Sequence, residues 1–186
     1  SAVRDNNPVV FVEHRLLYST DAPVPKDPYI VEFGKARVVG QGSDITLIGI
    51  SYMLVECLAA RDLLSEVGIS AEVIDPVSLM PLDIETISNS AKRTGTMLVV
   101  DNAWISAGAG AEIVAAVCER GSPPLVGRMG YASTTCPTSP ALEKYFYPNA
   151  ATIATRAFSM LRPKEKSWKP KTDPILPHEV AFRGPF

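Results

Sequence analysis

The sequence predicts an α/β domain whose mostly parallel sheet, with one antiparallel strand, lies between two layers of helices. Three observations predict it. Short β-branched runs alternate with segments whose apolar residues recur every three or four positions, the pattern of strands joined by crossover helices. A glycine-rich loop that begins at Asp101 and leads through Gly108 to Gly110 joins one such run to one such helix. With 186 residues, 46% of them hydrophobic and 20% charged, the chain has apolar material for one ordinary domain with extended arms.

Residues 8–13, PVVFVE, form a continuous apolar run of strand length, as a strand buried on both faces would. Nothing ahead of it can pair with it, so the run reads as the close of a preceding domain removed or supplied elsewhere. Glu13 and His14 are neighbours at its end, and strand alternation points them to opposite faces. That disfavours a mutual acid–base pair and leaves a structural or interface role. Pro23, Pro25 and Pro28 bar helix and central strand, so residues 18–28 are an extended connector and a domain boundary.

The runs KARVV and ITLIGI flank a five-residue loop containing Gly40 and Gly42, which reads as a hairpin. Ile45 to Ile50 is then a parallel strand. Met53, Cys57, Ala60, Leu64 and Val67 mark one face of a helix that Gly68 stops. Residues 71–74 form the next strand, closed by Asp75-Pro76. Asp83 caps a helix with apolar positions Ile84, Ile87 and Ala91, and Gly95 ends it. Residues 97–100 are a strand, and Ile113, Val114, Val117 and Cys118 give the helix after the glycine loop one buried stripe, with Gly121 as its stop. Residues 124–128 complete the strands. A short helix follows at 142–146, and Asn149 caps a last one carrying Ile153, Ala157, Met160 and Leu161.

Beyond Arg162 the prolines at 163, 170, 174, 177 and 185 preclude regular structure, and the apolar residues are isolated: Trp168, Ile175, Leu176, Val180, Phe182 and Phe186. Such a tail is disordered or wraps a neighbouring surface.

Composition excludes several functions. A formal net charge of −2, without a basic patch, is unlike a nucleic-acid binder. No apolar run reaches the roughly 18 residues of a membrane span. Cys57, Cys118 and Cys136 lack CxxC spacing, and residues 1–7 lack signal-peptide features, so a reduced intracellular setting is expected. His14 and His178 are the two histidines of the sequence, too few for a His-rich metal site.

Four candidates for chemistry stand out. The glycine loop could cradle a phosphate on the following helix N-terminus. Its glycines, Gly108 and Gly110, are followed by Ile113 instead of a third glycine, so close packing of helix on strand is the stronger reading. Asp75 and Asp101, both at carboxyl ends of strands, could form an acid–base pair, although carboxylates there more often brace loops. Cys136 has no nearby histidine to generate thiolate. The stretch GISY around Ser51 lacks the second glycine of a nucleophile elbow. Trp104, placed on the glycine loop, has little core to join and reads as a contact with another subunit.

Four blocks in order, NPVVFVEHRLLY, PYIVEFGKARVVGQGSDITLIGISYM, GISAEVIDPVSLMPLDIETI and VVDNAWISAGAGAEI, resemble the C-terminal portion of the beta subunit of thiamine-diphosphate-dependent 2-oxo acid dehydrogenases, a transketolase-like family. The resemblance runs from about residue 7 to residue 161. It implies a three-layer α/β sandwich of the transketolase C-terminal type, with a mostly parallel five-stranded sheet and one antiparallel strand. It also implies that residues 1–17 end a preceding pyrimidine-binding domain, 18–28 are a linker, 29–162 are the C-terminal domain and 163–186 are an extended tail.

By the same resemblance, the full enzyme decarboxylates a 2-oxo acid and passes the acyl group to a lipoyl acyltransferase. Thiamine diphosphate and Mg2+ would be bound outside this fragment, by the upstream domain and the alpha subunit. The expected assembly is a heterotetramer with the alpha subunit and a second beta subunit, in cytoplasm or organelle matrix, and the fragment alone would be inactive. The family places no catalytic, cofactor or metal ligand here; His14, Arg15, Trp104, Gly108, Gly110, Glu112 and Trp168 are interface candidates. Two stretches depart from the family pattern. Asp101-Asn102 stand where Glu-Gly is common, and residues 131–137 read YASTTCP in place of Gly-x-Asp-x-Pro-x-Pro. The alternative is a stand-alone nucleotide- or phosphate-binding module of flavodoxin-like or Rossmann-like type using the glycine loop.

Overall fold

The computed structural model describes residues 1–121 and 124–171. The expected tail residues Ile175, Leu176, His178, Val180, Phe182 and Phe186 therefore lie outside the described residues. Among the described residues, five strands and five α-helices follow in chain order: β1 (Arg37–Gly40), β2 (Ile45–Gly49), α1 (Met53–Ser65), β3 (Ala71–Asp75), α2 (Ile84–Thr94), β4 (Thr96–Trp104), α3 (Ala109–Cys118), β5 (Leu125–Tyr131), α4 (Pro140–Phe146) and α5 (Ala150–Leu161).

The strands form one sheet in the order β1-β3-β2-β4-β5. Strands β3, β2, β4 and β5 are parallel, and β1 runs antiparallel on β3. Every residue of β2 is buried, because the strand has a hydrogen-bonded neighbour on each side and helices on each face. On one face Leu47, Val73, Leu98 and Val100 meet Leu64 of α1 and Ile153 and Ala157 of α5. On the other, Ile48, Ile74, Met97 and Val99 meet Ile87 and Ala91 of α2 and Ile113 of α3.

The expected helix limits follow their local chemistry. The Asp83 carboxylate accepts from the Thr86 N–H at 3.1 Å and the Ala36 N–H at 2.9 Å, so it caps α2 and pins the approach to β1 together. Gly95 ends α2 with φ of 70°. Asn149 and Thr152 exchange hydrogen bonds in a capping box that starts α5.

Two expectations are corrected, and a third element is placed. The hairpin does not form, because β3 is inserted between β1 and β2. The loop crosses the start of β3 so closely that a Cβ on Gly42 would lie 2.1 Å from the Ala71 carbonyl carbon. Ser70 accepts from the Ser43 and Asp44 N–H groups at 3.0 and 2.8 Å, and the Asp44 carboxylate accepts from the Ser70 N–H at 2.8 Å. These bonds hold the crossing in place of a turn.

Residues 8–13 form no strand. Val10, Phe11 and Val12 are 89%, 74% and 81% exposed, since no strand edge among the described residues meets them. The chain then turns at Arg15–Ser19, where Leu16 and Leu17 pack on the α1/α5 core. Finally, the start of the tail is irregular, as its prolines imply, yet it does not project away. Trp168 lies on Phe158 of α5, ring centroids 5.3 Å apart.

Gly42→Ala is expected to cost about 3 kcal/mol, the upper end of overpacking effects, because its obstacle is backbone. Gly68→Ala meets nothing within 4 Å and has only a φ of 72° to resist it, a cost of about 1 kcal/mol. Urea unfolding of the two variants checks this; equal losses would contradict the crossing.

Candidate functional site

The carboxyl ends of β2, β4 and β5 bring three groups of residues together. The first starts at the tight passage from β2 into α1. Gly49 is required there, because a Cβ would sit 2.6 Å from the Leu54 Cα, and Ser51 adopts φ of 57°. The turn buries Tyr52, whose hydroxyl donates to Glu56 Oε1 at 2.9 Å. Glu56 Oε2 accepts from the Ala150 N–H at 2.7 Å, so a buried carboxylate joins α1 to the N-terminus of α5. His14 stacks on Tyr52, centroids 4.9 Å apart and planes 20° apart. Its Nδ1 accepts from the Leu16 N–H at 3.4 Å, and its Nε2 lies 2.6 Å from the Asn102 side-chain amide. Which nitrogen donates in the His14–Asn102 contact depends on the imidazole tautomer. Arg15 points into solvent.

The second group is the glycine loop. The Asp101 carboxyl group lies at the start of α3, beside Gly108 and Gly110, where the backbone N–H groups of Gly110, Asn102 and Ala109 pull its pKa down. The chain's own carboxylate thus stands where a phosphate would approach α3. Gly108 and Gly110 serve close packing: a Cβ on the first would lie 2.3 Å from the Trp104 carbonyl oxygen, and on the second 3.3 Å from Val99 Cγ1. Burial pushes the Asp101 pKa above its ordinary value, against the opposing pull of the three hydrogen bonds. Glu112 is exposed in the first turn of α3. Asp75 makes no pair with Asp101. It forms an ion pair with Arg37 and accepts from the Val77 N–H, and β2 separates its strand from β4.

The third group is aromatic, and it corrects the reading of Trp104 as a ring without a core. Strand β4 runs on to Trp104, which meets Tyr131 and Phe146 edge-on, each at 5.9 Å, while Tyr131 stacks on Phe146 at 4.9 Å. Trp104 still keeps 47% of its surface exposed. Cys136 lies beside this cluster, its Sγ 3.3 Å from the Tyr147 hydroxyl. That contact, with burial and nearby charge, pushes the Tyr147 pKa up to about 12. His14 is engaged with Tyr52 and Asn102, so among the described residues no imidazole is placed to activate Cys136. Ser51 is exposed at its turn.

Sequence reasoning missed Glu56, Arg128 and Arg156. Glu56 left a signal, being a carboxylate next to Cys57 on the apolar stripe of α1. The arginines left none, because their shared cleft is made by separate elements.

A mostly parallel five-stranded sheet with one antiparallel edge strand and helices on both faces defines the transketolase C-terminal type of α/β domain. The family model described as "Transketolase, C-terminal domain" matches residues 34–153, and the chain belongs to that family. Similar proteins include the pyruvate dehydrogenase E1 component subunit beta of Porphyra purpurea, 46% identical over 119 residues, 64% of this chain and 36% of that protein. The protein of the same name from Bacillus subtilis is 41% identical over 165 residues, 87% of this chain and 50% of its own length. The acetoin:2,6-dichlorophenolindophenol oxidoreductase subunit beta of Cupriavidus necator is 36% identical over 159 residues, 84% and 47%. The chain thus spans about half the length, or less, of these relatives. A solved structure described as "Split gene transketolase, inactive beta4 tetramer" superposes with a TM-score of 0.66 at 26% identity, over 73% of this chain and 45% of that one.

Two predictions test this geometry. Because its folded pKa is raised, Asp101 favours the native state below the ordinary carboxylate range, and this contribution is lost as pH rises through the raised value. Thermal unfolding from pH 3.5 to 7 is therefore expected to show the wild type losing stability relative to Asp101→Asn as pH increases. Asn102→Gly removes the His14 contact, and hydrogen exchange across residues 14–19 is expected to rise several-fold while the sheet amides are unchanged. Unaltered exchange in that turn would remove His14 as its anchor.

Proposed function

We propose that this chain is the C-terminal half of the beta subunit of a thiamine-diphosphate-dependent 2-oxo acid dehydrogenase, and that its own task is assembly. The observation that carries the proposal is the coverage. Relatives named as beta subunits of pyruvate dehydrogenase E1 align along 87% of this chain but through only 50% of themselves. In such an enzyme the complete assembly decarboxylates the 2-oxo acid and hands the acyl group to a lipoyl acyltransferase. Partners are an alpha subunit and a second beta subunit. The setting is a cytoplasm or organelle matrix, and no helix among the described residues is long and apolar enough to cross a membrane.

The surface supports an assembly role. Besides residues 9–12, Tyr29, Ile30, Val31 and Phe33 are exposed, as are Leu79 and Met80. The second and third sets adjoin, since the Gly34 N–H donates to Ser78 Oγ at 2.9 Å. Apolar exposure on this scale marks a surface that another subunit covers. His14, Arg15, Trp104, Gly108, Gly110, Glu112 and Trp168 belong to the proposed assembly elements in two ways. The glycines and Trp168 shape the domain, while Arg15, Glu112 and the free face of Trp104 are open to a partner.

The residues present do not fit thiamine diphosphate and Mg2+. Among the described residues no three His, Cys, Asp or Glu side chains gather to hold a metal ion, and the α3 N-terminus is occupied by Asp101. That occupancy also disfavours a nucleotide-binding module built on the glycine loop. No step of the decarboxylation is therefore assigned to these side chains.

Calorimetry of the chain with thiamine diphosphate and Mg2+ is expected to show no binding heat, and pyruvate, branched 2-oxo acids and acetoin are expected to remain unconsumed. Co-expression with an alpha subunit and a pyrimidine-binding segment is expected to produce activity. Turnover by the 186-residue chain alone would sink the proposal.

A further inference from the structure

A cleft of about 380 Å³ opens where the carboxyl ends of β4 and β5 meet the loops after them. It is within the size range of small-molecule sites. Its walls include Trp104, Ser106, Arg128, Tyr131, Ser133 and Arg156, and they contain no aspartate or glutamate. Arg128 comes from the edge strand and Arg156 from α5, so two separate elements supply the charge.

Neither arginine is in an ion pair among the described residues. Arg128 spends one Nη1 donor on the Ile105 carbonyl at 2.8 Å. That bond anchors its guanidinium to a backbone carbonyl beside the cleft and leaves its remaining donors for other acceptors. This differs from the glycine loop, where a carboxylate of the chain, Asp101, already lies beside the backbone donors. Beside the two cations stands the half-exposed indole of Trp104, held edge-on by Tyr131 and Phe146. Forked cations next to an oriented aromatic surface suit a planar ligand with a negative end.

We propose that this cleft binds a small organic anion, its carboxylate or phosphate held by Arg128 and Arg156 and its planar body lying against Trp104, with the Ser106 and Ser133 hydroxyls as supporting donors. The site shares Trp104 with the proposed assembly elements but does not rest on the dehydrogenase assignment. It uses neither thiamine diphosphate nor the exposed N-terminal residues, and it would stand if that assignment failed.

Trp104 fluorescence reads occupancy once Trp168, the second tryptophan of the sequence, is replaced by Trp168→Phe. The full chain is titrated with inorganic phosphate, benzoate and adenosine monophosphate. A saturable change is expected for benzoate or adenosine monophosphate, weaker for inorganic phosphate, and declining as salt rises. Tighter binding of adenosine monophosphate identifies a phosphorylated ligand; tighter binding of benzoate identifies a carboxylate. Arg156→Gln is expected to weaken either at least tenfold, with Arg156→Lys between it and the parent. Arg156 is exposed, so these variants are expected to keep the parent's unfolding midpoint. Phenylglyoxal modification of Arg128, followed by mass spectrometry, is expected to slow when the tighter ligand is present. No saturable change with any of the three probes, or equal affinity in Arg156→Gln, would overturn the proposal.

Discussion

Glu56 is the charge on which the α1/α5 face depends. It is 6% exposed, and one oxygen takes the Tyr52 hydroxyl while the other takes the first amide of α5. A carboxylate withdrawn from water needs such donors, since a hydrogen bond to a charged group is worth about 1.5–3 kcal/mol. The bonds also set geometry. They fix α5 against α1 over β2 and β4, and they hold the Tyr52 ring flat for His14 to stack upon. The irregular N-terminal segment is thereby tied to the most buried part of the sheet through three side chains.

Close backbone approach is the second constraint. The chain passes Gly42 across β3, Gly49 over the start of α1 and Gly108 under Trp104, and at each a Cβ would fall within 2.6 Å of backbone. The glycine-rich loop belongs with these. Its glycines admit a helix close to a strand, and the Asp101 carboxylate lies beside its helix terminus. A helix dipole attracts an anion of any origin, and a carboxylate fixed by the strand is present without an association cost. The unmatched positive charge of this end of the sheet lies instead at Arg128 and Arg156.

The exposed apolar residues form a different kind of surface from that cleft. Val10, Phe11 and Val12 are extended and open, whereas Leu16 and Leu17 a few residues later are packed into the domain. His14 stands at the boundary, bonded to Asn102. A glycine at position 102 would have no side chain to meet the imidazole.

The sequence by itself determined the alternation of strands and helices, the caps at Asp83, Gly95 and Asn149, the packing role of Gly108 and Gly110, and the family. Each is set by residues a few positions apart, or by blocks whose order survives without coordinates. It misjudged the partner of β1, because two β-rich runs around a short loop look the same whether or not a third strand enters between them. It also misjudged residues 8–13, whose composition suits a strand but whose ladder partner is not within the described residues. Only the tertiary structure decided that Trp104 has aromatic neighbours, that Asp101 fills the helix terminus, and that Arg128 and Arg156 share a cleft. Those depend on contacts across the sheet, where distance along the chain carries no information about distance in space.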